Sequence, residues 1–158
     1  MGVLFTEQTL ARTYSHPSVA DSYDIVQQYR EVLRHNPDKG ATAIARQLSL
    51  PRGRVRPWLD GGKPDPVHAI EIATDHGWLA DDCTPTVRSL SRLIACVFAT
   101  GSIAEQWFRP SWAPSELVTR EQIQADLDEI GVSWDLFYQD RAHQTTELRP
   151  TAHSTVLG

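Results

Sequence analysis

Proline and glycine cut residues 21 to 101 into short helical stretches, and that punctuation restricts the first half of the chain to a set of small packed helices. From Asp21, DSYDIVQQYREVLRHN sets Ile25, Tyr29, Val32 and Leu33 at helical spacing, and Pro37 ends it. GATAIARQLSL repeats the spacing with Ile44, Ala45 and Leu48, after which Ser49-Leu50-Pro51 makes a turn. PRGRVRPWLDGG predicts a third helix with Val55, Trp58 and Leu59 inward, closed by Gly61-Gly62. DPVHAIEIATDHGW predicts a fourth, with Asp65 as N-cap, Pro66 at the first helical position, Ile70, Ala73 and Trp78 on the apolar side and Gly77 as the stop. Residues 21 to 79 therefore read as one all-helical domain. Residues 1 to 20, with His16-Pro17-Ser18 and no sustained period, read as an N-terminal arm or a loosely docked tail.

The pattern changes after Ala80-Asp81-Asp82. Thr84-Pro85, cap then proline, opens a helix, TVRSLSRLIACVFAT, that ends at Gly101. SIAEQW and FRPSW read as short strands, Thr119 and Gln122 as a capping box opening REQIQADLDEI, and Gly131 as the end of that helix. VSWDLFYQ and TTELRP alternate like two further strands, and TAHSTVLG begins a helix that is left as a stub at Gly158, as in a truncated unit. The fold class expected is α+β: an N-terminal helical unit, then an αββαββ(α) unit over residues 84–158.

A chain of 158 residues that is 41% hydrophobic can bury a core unaided. Cys83 and Cys96 lie thirteen apart with no Cys-x-x-Cys, so neither a zinc site nor a disulfide framework is suggested and a reduced compartment fits. The longest apolar run, Leu93 to Ala99, is too short to cross a bilayer, and the N-terminus has no basic segment followed by an apolar one. The localisation expected is cytoplasmic, with no membrane partner. The six histidines are scattered, and Asp126, Asp128 and Glu129 in ADLDEI read as a solvated helix face. Trp107, Trp112 and Trp134 read as core or interface rather than base-stacking platforms, and no glycine-rich phosphate loop is present.

Net charge is −5, but it is unevenly spread. Residues 39 to 63 hold Lys39, Arg46, Arg52, Arg54, Arg56 and Lys63 against Asp60 alone, leaving that stretch at +5 and the remainder at −10. A helix-turn-helix needs a small residue where its helices cross, an apolar residue in the turn and two apolar anchors in the second helix; Ala45, Leu50, Val55 and Trp58 supply these in order. ATAIARQLSLPRGRVRPWL resembles the helix-turn-helix of resolvase and invertase recombinases and of many repressors. The resemblance implies a double-stranded DNA partner met by Arg46, Arg52, Arg54, Arg56 and Lys63, with Arg52, Arg54 and Arg56 on the outward face of the second helix. Two residues depart from the pattern: Ser49 stands where a glycine is usual, and Pro57 lies inside the second helix, where it is expected to end or kink it.

The run LIACVFATGSI, residues 93 to 103, carries no charge and stops at Gly101. It resembles the signature of the LAGLIDADG homing endonucleases: Leu93, Ala99, Gly101, Ser102 and Ile103 match outright, Ala95 stands in for a glycine and Val97 for another apolar residue. The resemblance implies that Leu93, Ala95, Ala99 and Gly101 pack against a second copy of the helix, that the protein is a homodimer, and that strands behind the helices form a saddle along DNA. The family's metal-binding acid would fall at Thr100, and its other acidic slot is Phe98. No catalytic residue, metal or cofactor is therefore expected. The function implied is DNA binding without cutting, by a transcriptional regulator or an inactive homing-endonuclease relative. One alternative is an active endonuclease using Mg²⁺ and an unconventional acid, of which Glu105 is the nearest; the other is a protein-interaction module whose arginines never meet DNA.

Overall fold

The structure, a computed structural model, describes residues 5–15, 21–35, 39–80, 83–137 and 146–157. The described chain divides into two compact units between Glu71 and Ile72, inside the fourth expected helix rather than after residue 79. Trp78 belongs to the second unit, where its indole N–H donates to the carbonyl of Ile130 at 3.0 Å.

In the first unit, α1 (Glu7–Arg12) and α2 (Ser22–His35) are followed by α3 (Ala41–Gln47), α4 (Arg52–Leu59) and the start of α5 (Asp65–Asp75). The arm expected over residues 1–20 is in part a docked helix. Thr6 caps α1 by accepting from the Thr9 N–H, Thr9 caps the Thr6 N–H in return, Ala11 is fully buried, and Arg30 of α2 forks onto both Glu7 oxygens at 2.9 and 3.0 Å. Residues 1–4 and 16–20 lie outside the described residues, as does Pro37. The inward face of α2 is Ser22, Val26, Tyr29 and Val32, so Leu33, expected inside, is exposed. Ile44, Ala45, Val55 and Trp58 complete this core, with the Tyr29 and Trp58 rings edge-to-face at 5.7 Å. α5 begins at Asp65 itself, with the Pro64 carbonyl accepting from both Val67 and His68, so Asp65 is a first-turn acid rather than the N-cap.

The second unit runs through α6 (Pro85–Thr100), β1 (Gly101–Ile103), β2 (Pro110–Trp112), α7 (Leu117–Glu129), β3 (Trp134–Phe137), β4 (Glu147–Pro150) and α8 (Ser154–Leu157). The element order is the expected helix, two strands, helix, two strands, helix, with strands of only three or four residues. They form one antiparallel sheet ordered β1-β2-β4-β3. Residues 138, 139 and 145 of the expected strands lie outside the described residues. Thr84 caps α6 by accepting from the Val87 N–H at 3.2 Å, with Pro85 opening the helix as expected. The Thr119–Gln122 capping box does not form: α7 starts earlier, at Leu117 behind an extended Glu116, which leaves Thr119 inside the helix. Val87, Leu90 and Leu93 of α6, Ile123 and Leu127 of α7, Trp112 and Leu148 make the core. Trp112 donates its indole N–H to the Leu93 carbonyl at 3.1 Å, which ties β2 to the middle of α6.

Gly101 joins α6 to β1 with φ −116° and ψ −175°, an extended conformation open to any residue. It is glycine because of crowding: a Cβ there would sit 2.5 Å from the Ser111 carbonyl oxygen and 2.8 Å from the Val97 Cα. Both neighbours are backbone. Gly101→Ala is expected to cost about 3 kcal/mol by forcing β1 and β2 apart. Gly53→Ala, whose Cβ meets nothing within 4 Å, is expected to raise stability by roughly 0.5–1 kcal/mol through helix propensity. Urea denaturation of both variants beside the wild type measures the contrast.

Candidate functional site

The basic segment folds as α3, a tight turn and α4. Helix α3 ends with the Leu50 N–H donating to the Ala45 carbonyl at 2.9 Å and the Ser49 N–H to the Arg46 carbonyl at 3.4 Å, a closure that needs a left-handed residue between. Ser49 takes that conformation, φ +54°. The position where glycine is usual is thus a position that requires glycine-like geometry, met by serine at a cost of about 1 kcal/mol. Val55 and Trp58 then anchor α4 inward.

Pro57 does not end the helix, which runs on to Leu59. The bond the proline forfeits is to Gly53, the residue with most freedom to tilt its carbonyl. The Pro57 carbonyl in turn accepts the Gly62 N–H at 2.8 Å, with Gly61 left-handed at φ +95°, so the end of α4 is closed like that of α3.

The structure separates the expected contact residues. Arg52 and Arg56 lie one turn apart on the exposed side of α4 and open onto a shallow groove of about 450 Å³, walled opposite by Gly40 to Ala43 at the start of α3. Arg46 is exposed on α3, and among the described residues neither Arg46 nor Arg52 meets an acid. Arg54, expected outward, is half-buried and donates to the Gln28 side chain of α2 at 3.1 Å, because it flanks the Val55–Trp58 anchor face. Lys63 is paired with Glu71 at 2.7 Å. Arg56 has Asp60 beside it at 3.6 Å, and Lys39 is bonded to Gln47.

On α6 the expected interface residues also divide. Leu93 is buried in its own unit, whereas Ala95 and Ala99 are exposed beside Phe98, which is 87% exposed. Gly101 is half-buried against β2. Thr100 is exposed, and its hydroxyl turns back to donate to the Cys96 carbonyl at 3.3 Å. Alternation leaves Ser102, Ser111, Asp135, Phe137, Glu147 and Arg149 on one sheet face; Arg149 there is bonded to Glu147 at 2.7 Å and stacked over Phe137 at 4.3 Å. That face carries two acids against one already paired cation.

Several contacts lie outside the expected site. Asp126, expected on a solvated face, is 2% exposed and accepts from Arg92 Nε at 3.0 Å, from the Arg92 Nη2 and from Gln122 at 3.2 Å. The Gln122/Asp126 and Ser89/Arg92 spacings were the available signal, but pairing between α6 and α7 had none. Asp126 holds the Arg92 guanidinium more firmly protonated, and burial, then Asp126, push the nearby Cys96 thiol up. His35 lies one turn from Glu31 at 3.2 Å, and the rings of His76 and His153 are 5.1 Å apart. Trp107 is exposed, while Trp134 donates to Asp128 at 2.9 Å. Cys83 and Cys96 are free thiols.

No family model, curated protein or solved structure matches this chain. Among the described residues no helix is long and apolar enough to cross a membrane, and no group of three His, Cys, Asp or Glu side chains could hold a metal ion.

Ser49→Gly is expected to stabilise the protein by about 1 kcal/mol, since it relieves a left-handed conformation without touching a contact. A thermal melt read by circular dichroism checks it; no change in the midpoint would remove the strain argument.

Proposed function

We propose that this chain is a double-stranded-DNA-binding protein, a transcriptional regulator or catalytically inactive relative of the LAGLIDADG endonucleases, that engages duplex through a helix-turn-helix formed by α3 and α4. The observation that carries the reading is the pair Arg52 and Arg56, one turn apart on the exposed side of a helix whose opposite face is locked by Val55 and Trp58. The tight closure around Ser49 supports it further. Two guanidiniums on that face suit phosphate oxygens and guanine edges in a major groove, with Arg46 reaching the flanking backbone. Arg54 and Lys63 are assigned to the fold instead, one to Gln28 and the other to Glu71.

In the same reading, the second unit pairs the protein with a second copy through Ala95, Phe98 and Ala99 of α6, giving a two-fold symmetric target. The acidic sheet face repels phosphate and takes no part in holding DNA. With Thr100 in the acid's position, DNA is bound without a metal ion and without strand cleavage.

A mobility shift on duplex DNA across a salt series tests this. Arg52→Ala and Arg56→Ala are each expected to weaken binding and to lower the log-log salt slope by about one, whereas Arg54→Ala leaves the slope unchanged and lowers thermal stability. Unchanged affinity in both of the first two variants would sink the assignment. Supercoiled plasmid incubated with Mg²⁺ or Mn²⁺ is expected to stay intact; nicking that disappears on chelation would restore the endonuclease alternative.

A further inference from the structure

Among the described residues, Asp60 is the only acid lining the groove that Arg52 and Arg56 open onto. Its Oδ2 lies 3.6 Å from Arg56 Nε, and the two side chains are 70% and 67% exposed. An ion pair so exposed adds little to stability. Asp60 also follows the last residue of α4, where the helix carbonyls already concentrate negative charge and a carboxylate is disfavoured. Folding therefore gives no reason for an acid here.

Its electrostatic effect on a ligand is direct. A phosphate approaching Arg56 meets the carboxylate at the same time, and the carboxylate competes with it for the guanidinium. Phosphate attraction supplies the sequence-independent part of DNA affinity, so an acid that weakens it lowers that part.

We infer that Asp60 is a brake on non-specific DNA binding, acting by competing with phosphate for Arg56, which still reaches the backbone. The inference rests on the reading of α4 as the DNA-facing helix. It makes Asp60 a positioning residue that lowers affinity for any duplex.

The test uses the full chain, a duplex of random sequence and fluorescence anisotropy across a salt series, comparing wild type, Asp60→Asn, Arg56→Gln and the double variant. Asp60→Asn is expected to tighten binding about threefold or more at low salt, and to steepen the log-log salt slope by less than about one. In the Arg56→Gln background the gain should shrink, a coupling that a purely structural role would not produce. Unchanged or weaker binding by Asp60→Asn, with wild-type binding still falling with salt, overturns the brake and leaves the DNA reading standing. An equal gain with and without Arg56 overturns the part played by the pair. No salt-dependent binding by any of the four proteins overturns the DNA reading itself and the brake with it.

Discussion

Every helix end leaves carbonyls without a helical partner, and the way this chain satisfies them orients nearly everything else. α3, α4, α5 and α7 all close alike: a left-handed residue, Ser49, Gly61, Gly77 or Gly131, lets the next N–H reach back to Ala45, Pro57, Ala73 or Leu127. In α5 and α7 the residue after the left-handed one, Trp78 or Val132, is driven into the core, so closing the helix and placing a core side chain are one event. α6 ends differently. It passes straight into β1 through an extended Gly101, and the backbone saved from turning is packed against Ser111 of β2.

The same constraint governs the proposed site. The closure at Ser49 fixes the departure of α4, Val55 and Trp58 fix its rotation, and the rotation alone decides which arginines face outward. Arg52 and Arg56 do; Arg54, two residues from either, is turned toward α2 and held by Gln28. A run of three alternating arginines thus divides into a groove pair and a structural tether. Charge follows the same division at larger scale. The first unit, residues 5 to 71, carries nine cations against eight acids, and the second, residues 72 to 158, six against twelve.

Much of this was legible in the chain itself because it depends on local backbone chemistry. Thr84-Pro85 starts a helix and Gly77 and Gly131 stop one through bonds that span only a few residues, and the order of elements in the second unit follows from such signals. The start of α7 was misread because Thr119 and Gln122 satisfy a local rule that Leu117, drawn into the helix two residues earlier, makes irrelevant. The arm was misread because a six-residue helix is too short to show a period.

What the sequence by itself determined is the set of breaks, the apolar anchors Ala45, Val55 and Trp58, the clustering of positive charge and the absence of any charge from residues 93 to 103. Tertiary structure decided the rest: that Leu93 is core while Ala95 and Ala99 stay exposed, that Asp126 is buried under Arg92, and that Asp60 shares a groove with two arginines. The physical reason is range. Caps and turns are settled by groups a few residues apart, whereas burial and charge pairing depend on neighbours brought from elements that carry no local record of one another.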